Sequence, residues 1–567
     1  MPTQQTITQT QSTKILTNKR LFAWHGWLGL NFGLLLFIIC LSGTVAALSY
    51  EIDWLLDEAI RVSPQESRFS LGEIHQRIQA TYPQAAVFAM AEPRGPYTAI
   101  QAGLNDPDRG TVIVYANQYT GEIIADRTVL NIKNFFRIFH KQFFIISTPF
   151  TVNGVIIVGL LGLALLLSVI TGVLLLSGRI KSMFRLRWHK GIRVFWVDFH
   201  RFSGMWALIF SLLFALTGVW YFIEKVADIS EAEFARADPA DYAKYGYHLQ
   251  LLPVDTYLER VKQAKPDLEI SHIVLPTKAG DLVNAFGQAS AILVRNAANS
   301  VSLDPFTGEV VRIRDGTQFG LLDRWLHTVD PLHFGDFGGL LTKSIWFVFG
   351  LLLSLSIPVG TYIWYKRLSK KGIPRRSRKA VIFSSLFMLV ILLLASVFTT
   401  LGLLRMVEMP RAVQAQSLGT QPIGPWSVNL IQQRDYATGK VAGYHMQLSD
   451  KTFANVQQAY VVVWEKGEAK PTQVTLGRKW HYRQGELANL INSTSISNIE
   501  LHLQDWEGRW YQRDFRPLIN LPPRVAPIAR PPVPISVLIF ISVFFVIVFA
   551  TIFYWFRFAQ RSIPTKA

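Results

Sequence analysis

Two long apolar runs of this chain begin in the same way. Trp24-His25-Gly26-Trp27-Leu28-Gly29 opens one and Phe199-His200-Arg201-Phe202-Ser203-Gly204 opens the other, each with a histidine four residues before a glycine. Gly43 follows His25 by 18 residues, and Gly218 follows His200 by the same 18. A repeat of this kind sets two helices parallel, with an imidazole at the same depth in each. The fold must therefore accommodate a duplicated, histidine-bearing membrane unit.

Composition agrees with a membrane setting. Half of the 567 residues are hydrophobic and only 17% are charged, too apolar for an ordinary soluble protein and too long for one domain. Six segments are long enough to cross a bilayer, which takes about 20 residues. They are expected at 22–50, 151–176, 202–223, 340–365, 381–404 and 533–556. The fold class read from this pattern is an α-helical polytopic membrane protein of six spans, with small α+β domains and an additional β-rich domain outside the bilayer.

The net charge of +18 is confined to one set of loops. Segments 1–21, 177–201, 366–379 and 557–567 hold 21 Lys and Arg against one acid, Asp198, leaving 36 bases and 38 acids elsewhere. A basic bias restricted to short flanking loops is the positive-inside signature, and it accounts for the charge without a nucleic-acid partner. The expected topology puts both termini in the cytosol of a bacterial inner membrane, with loops 51–150, 224–339 and 405–532 in the periplasm. Cys40, the only cysteine, lies within the first span, which excludes an intramolecular disulfide and a thiolate metal cluster.

Residues 1–13 are Gln/Thr-rich without apolar periodicity and are expected to be disordered. In the first external loop, Leu71 to Ile78 has helical spacing, ending near Tyr82-Pro83. Residues 87–90, 97–101 and 111–115 alternate as strands do. The second external loop repeats this order with a helix from Val254 to Lys265 and strands at 270–275 and 292–294. Tyr119-Thr120-Gly121-Glu122 and Phe306-Thr307-Gly308-Glu309 are the same turn. The third loop alternates at 444–448, 459–464 and 499–503 and predicts a β-rich domain without a cofactor fingerprint. No Walker, His-Glu-x-x-His, Gly-x-Ser-x-Gly or dinucleotide-binding pattern occurs in the chain.

Five of the twelve histidines sit at helix mouths: His25 and His200 on the cytosolic side, His140, His327 and His333 on the other. Two imidazoles on repeat-related helices can clamp a haem iron from both faces, so His25 with His200 are expected as axial ligands of one haem b. A second haem b lies too far along the helix to share them, about 27 Å for 18 residues, and is assigned to His140 with His333. His327 competes for that last position. Arg137-x-x-His140 matches Arg324-x-x-His327, whereas His333 is adjacent to the following span. Arg20, Arg201, Arg137 and Arg324 are the expected propionate partners. His75, His189, His248, His272, His445, His481 and His502 are expected at the surface, without a role.

The combination of His25-x3-Gly29, the helix end Tyr82-Pro83-Gln84-Ala85, the Thr120-Gly121-Glu122 turn and Leu332-His333-Phe334-Gly335 with Gly338-Gly339 resembles the PepSY-associated transmembrane family over residues 20–368. That family includes iron-regulated inner-membrane proteins and haem-containing ferric-siderophore reductases. The resemblance supports His333 and implies an oxidoreductase that passes electrons across the membrane to a ferric siderophore. With no flavin or nucleotide site in the chain, the electron donor is expected to be a separate cytosolic reductase or quinol. Two alternatives remain open: a quinol-dependent haem oxidoreductase with another acceptor, and, from a different class, a non-catalytic scaffold or regulator that binds peptides or envelope proteins through its external domains.

Overall fold

A computed structural model describes residues 3–561 apart from 84, 107–108, 146–152, 177–183, 230–250, 277–280, 372–395, 398, 403–412, 436–440, 449–455, 466–469, 476–485, 492–495, 506 and 520–531. Five stretches are long and apolar enough to cross a membrane: Lys19–Ala47, Gly154–Leu175, Leu208–Val226, Gly339–Trp364 and Ile535–Tyr554. The expected span at 381–404 lies almost wholly outside the described residues. The N-terminal tail, expected to be disordered, is helical from Thr3, as part of α1 (Thr3–Ala47). Extending a helix already nucleated by a long apolar run costs far less than starting one.

Four helical segments form a closed ring. Helix α1 packs against α5 (Gly154–Leu176), and α5 against α7 (Leu208–Val226). The ring closes through α10 (Gly339–Lys371), which touches both α1 and α6 (Ile192–Trp206). The segment α6 continues into α7 through Ala207, whose N–H reaches Ser203 O at 2.8 Å. Small residues set the closeness of α5 and α7: a Cβ on Gly162 would fall 2.9 Å from the carbonyl carbon of Gly218. Gly218, one of the two repeat glycines, thus serves helix contact.

Each repeat inserts helices and four strands between its two spans. The first contributes α2 (Ser49–Leu56), α3 (Leu71–Thr81) and β1 to β4 at Ala86–Ala91, Ile100–Asp106, Gly110–Ala116 and Ile123–Arg127, then α4 (Ile132–Gln142). The second contributes α8 (Val254–Ala264) and β5 to β8 at Glu269–Val274, Val283–Gln288, Asn299–Leu303 and Val310–Arg314, then α9 (Leu321–Phe334). The two halves fuse into one antiparallel sheet of order β4-β3-β2-β1-β5-β6-β7-β8, joined where Ala89, Met90 and Ala91 face Val274, Ile273 and His272. Helices α3 and α8 cover one face of the sheet, burying Ile74, Ile78, Tyr257 and Val261 against Leu104, Val114, Ile273 and Val301. Asp255 ties the helices together, accepting from Gly72 N at 2.9 Å and Ser70 Oγ at 2.8 Å.

The repeated turns match closely. Asn117 Oδ1 accepts from Tyr119 N, Asp304 Oδ1 accepts from Phe306 N, and Gly121 and Gly308 take φ of 70° and 71°, a conformation that favours glycine. The strand expected at 292–294 is instead a turn with Leu293 at φ 53°. The strand lies at Val283–Gln288, where Asn284 and Gly287 disguise a fully paired element. Of the histidines expected at the surface, His272 stacks on Phe286 and His502 on Tyr460, with ring centres 4.9 and 4.5 Å apart.

The region between residues 413 and 519 packs two four-stranded antiparallel sheets face to face. The strands are β9 to β16 at Val413–Ile423, Trp426–Asp435, Val441–Leu448, Gln458–Glu465, Thr472–Thr475, Glu486–Ile491, Ile496–Gln504 and Trp510–Asp514, in orders β14-β11-β10-β9 and β13-β12-β15-β16. Trp426, Leu430 and Met446 meet Val461, Ile499 and Leu501 in its core, and Phe306 from the second repeat's turn joins them. The last helix, α11 (Ile535–Arg561), lays Phe540, Phe544 and Phe545 against Phe135, Phe136 and Phe139 of α4.

Asp53 of α2 accepts from Ile132 N at 2.7 Å and Lys133 N at 2.9 Å, capping α4. Burial raises its carboxyl to about 6, although the two amides act the other way. A folded-state value above the ordinary one means that the fold gains stability as pH falls through about 6, levelling off near the unfolded value of about 4. Asp53→Ala should cost about 1–2 kcal/mol at neutral pH through the lost cap. Thermal melts of Asp53→Asn should show a flatter dependence between pH 4 and 6 than the parent protein.

Candidate functional site

The ring of spans brings four helix-mouth histidines together as two pairs. His25 of α1 faces His200 of α6 with ring centres 6.3 Å apart, and His140 of α4 faces His333 of α9 at 5.9 Å. Two imidazoles bound to opposite sides of one metal ion have ring centres roughly 6 Å apart, from bonds of about 2 Å and roughly 1.1 Å from nitrogen to ring centre. Both separations match that figure.

The neighbouring spans fix the protons on these rings. His140 Nδ1 lies 2.9 Å from Ile39 O and His200 Nδ1 lies 2.9 Å from Ser356 O. A carbonyl only accepts, so both Nδ1 atoms donate. His25 Nδ1 lies 3.0 Å from Thr171 Oγ1 and His333 Nδ1 lies 2.7 Å from Thr217 Oγ1. Each threonine donates its single proton to a carbonyl of its own helix, Leu167 O or Leu213 O, at 2.8 Å. Its oxygen therefore accepts from the imidazole. In all four histidines the network assigns the proton to Nδ1 and leaves the lone pair on Nε2, which is then the nitrogen free to bind a metal.

Ser42 and Thr217 hold equivalent positions in the two repeats, each directly before the repeat glycine, and each hydroxyl faces the mouth histidine of its own repeat: Ser42 Oγ is 3.4 Å from His140 Nδ1. These hydroxyl contacts are positions that the sequence alone does not reveal. The Ser-Gly and Thr-Gly dipeptides were visible as repeat landmarks, but nothing local shows that their oxygens meet a ring nearly a hundred residues away. The glycines make the space. A Cβ on Gly43 would lie 2.6 Å from His140 Cε1, while at Gly204, one turn beyond His200, nothing lies within 4 Å.

The other expected site residues fall elsewhere. His327 is buried with its ring against Phe319; Arg295 Nε donates to its Nδ1 at 3.2 Å, and Arg314 lies 3.2 Å from Nε2. Burial and the two guanidiniums lower its pKa to about 4. It ties α9 to the sheet, and the structure brings His333, not His327, to His140. Arg324 donates to Gly316 O and Ile292 O within the same domain. Arg201 engages Val197 O and Asp198, and Arg20 is exposed. Arg137 remains near the second pair, three residues before His140, with its guanidinium 4.9 Å over Phe334.

The fold and these pairs define a membrane protein built from two repeats, each carrying a histidine at either mouth. The model of the PepSY-associated TM region matches residues 22–367, and the chain belongs to that family. An uncharacterised protein of Pseudomonas aeruginosa is 27% identical over 256 residues, which cover 40% of this chain and 62% of that protein. The chain thus spans less than two thirds of that relative's length.

Replacing Thr217 by Val strands the His333 Nδ1–H in an apolar site, at a cost of about 1–3 kcal/mol. Thermal unfolding should show this loss, with a smaller one for Ser42→Ala, whose contact is longer; equal melting of Thr217→Val and the parent would remove the proton assignment.

Proposed function

We propose that the protein is a transmembrane electron carrier that holds one haem b between His25 and His200 and another between His140 and His333. The observation that carries this reading is the shared tautomer: four imidazoles in two facing pairs, each with Nδ1 donating to a neighbouring span and Nε2 left as the ligating atom. The donor set fits a macrocycle. Among the described residues no group of three or more His, Cys, Asp or Glu could hold a metal ion. Two protein ligands per site suit an iron that brings four ring nitrogens of its own.

Haem held by two histidines at each site would supply reversible one-electron chemistry. The chain's part is to hold each imidazole rigidly, keep its proton on Nδ1, and seat the two sites toward opposite faces of the membrane. In the inner-membrane orientation set by the basic loops, electrons enter at the cytosolic pair from a separate reductase or quinol and leave at the periplasmic pair. The family resemblance makes a ferric siderophore the favoured acceptor, since Fe(II) is held less tightly than Fe(III) by hard oxygen ligands. The protein is then an oxidoreductase of iron acquisition.

Optical spectra of the purified protein decide the matter. Reduction should give b-type bands equivalent to two haems, with about half lost in His25→Ala or His200→Ala and the other half in His140→Ala or His333→Ala. His327→Gln should keep both. A colourless protein that remains folded rejects the reading and favours the scaffold alternative. Reduction by a quinol, compared with reduction by a flavin donor, identifies the source of electrons.

A further inference from the structure

Helix α4 carries Lys133, Arg137 and His140 at positions one and two turns apart, so the three share a face. His140 belongs to the pair described above. Arg137 packs its guanidinium over Phe334, and its Nε is buried without a hydrogen-bond partner. Arg94, from the loop between β1 and β2, rests 4.0 Å over the Tyr50 ring. Among the described residues, none of these three cations forms an ion pair.

The nearby carboxylates are engaged elsewhere. Glu51 pairs with Lys343 at 2.7 Å. Asp53 caps α4. Asp330 accepts from Arg295 at 2.9 Å and from the Tyr221 hydroxyl at 2.6 Å. Asp336 interacts with both Arg137 and Lys343, with burial raising its pKa, and one carboxylate shared in this way does not balance the three cations. Burial also lowers Lys133 to about 8, with the charges of Arg137 and Arg94 adding to the effect. A half-buried group of like charges with an unsatisfied guanidinium nitrogen is costly unless an anion joins it.

We propose that Arg94, Lys133 and Arg137 form a carboxylate-binding site at the sheet-side end of the His140–His333 pair. Its ligand carries one or more carboxylates, which either hang from the haem seated there or belong to a free polycarboxylate that approaches it. Arginine offers planar, two-pronged donation to such a group, and lysine adds a point charge. The site joins the sheet domain, through Arg94, to the histidine-bearing helix, and its position relative to a haem rests on the function proposed above.

The test uses the full-length protein in detergent, expressed without haem, and two probes. One arm titrates haem b and its dimethyl ester, read by absorbance; the other titrates citrate, read by calorimetry. The Lys133→Gln/Arg137→Gln double variant and Arg94→Gln should weaken at least one arm by about tenfold, whereas Lys133→Arg should bind as the parent does. Loss for haem but not for its ester identifies haem carboxylates as the ligand; loss for citrate with haem uptake intact identifies a free one. Parent-like binding in both arms by variants that melt as the parent does overturns the site. A parent protein that takes up no haem defeats the haem reading, and the citrate arm then decides this proposal alone. If the double variant fails to fold, Arg94→Gln, which lies in the sheet domain, carries the comparison.

Discussion

The imidazole Nδ1–H bonds from one helix to the next are the interactions on which the site depends. A histidine buried between apolar helices must place its N–H on an acceptor, and a membrane interior offers only helix carbonyls and the hydroxyls of Ser and Thr. Ile39 O, Ser356 O, Thr171 and Thr217 fill that role here. The consequence reaches beyond satisfying a donor. Fixing Nδ1 as donor in four places fixes Nε2 as the free lone pair in four places, and it sets the rotation of each ring about its own helix. The helices also reach across one another: His25 of the first span is held by the second, and His333 ahead of the fourth is held by the third. Removing one hydroxyl therefore disturbs helix packing and the orientation of the imidazole together.

Duplication supplies the rest of the geometry. Two copies of span, small domain and span bring the helix-mouth histidines face to face only if the copies meet. They do so twice, once in the bundle and once in the eight-stranded sheet, where β1 and β5 pair at the centre. The sheet is thus a clamp that fixes the register of the two repeats outside the spans. Asp255 and the shared core under α3 and α8 strengthen it.

The C-terminal third breaks this symmetry. Its sandwich takes Phe306 of the second repeat into its core, while the corresponding Tyr119 stays within a small cluster of the first. Its last helix buttresses α4 of the first repeat with a cluster of phenylalanines. Each copy therefore receives one of the two attachments, and the helix that carries His140, Arg137 and Lys133 is the one braced from within the membrane.

The sequence alone determined the membrane class, the repeat, the helix ends and the identity of the helix-mouth histidines, because these follow from local composition and from a spacing that a reader can count. Hydropathy marks a span, and Tyr119-Thr-Gly and Phe306-Thr-Gly mark the same turn, without reference to anything distant. It also set the two placements that stayed ambiguous or went astray. His327 and His333 were both eligible because repeat position and helix proximity disagree, and Val283–Gln288 was hidden by Asn284 and Gly287 while Ile292 to Val294 only looked like a strand. Only the tertiary structure decided which histidines face one another, which oxygens hold their protons, that two small domains make a single sheet, and that Arg94 stands near Arg137. Those facts depend on contacts between residues some forty to a hundred and ninety positions apart, and no local pattern encodes a distance across a fold.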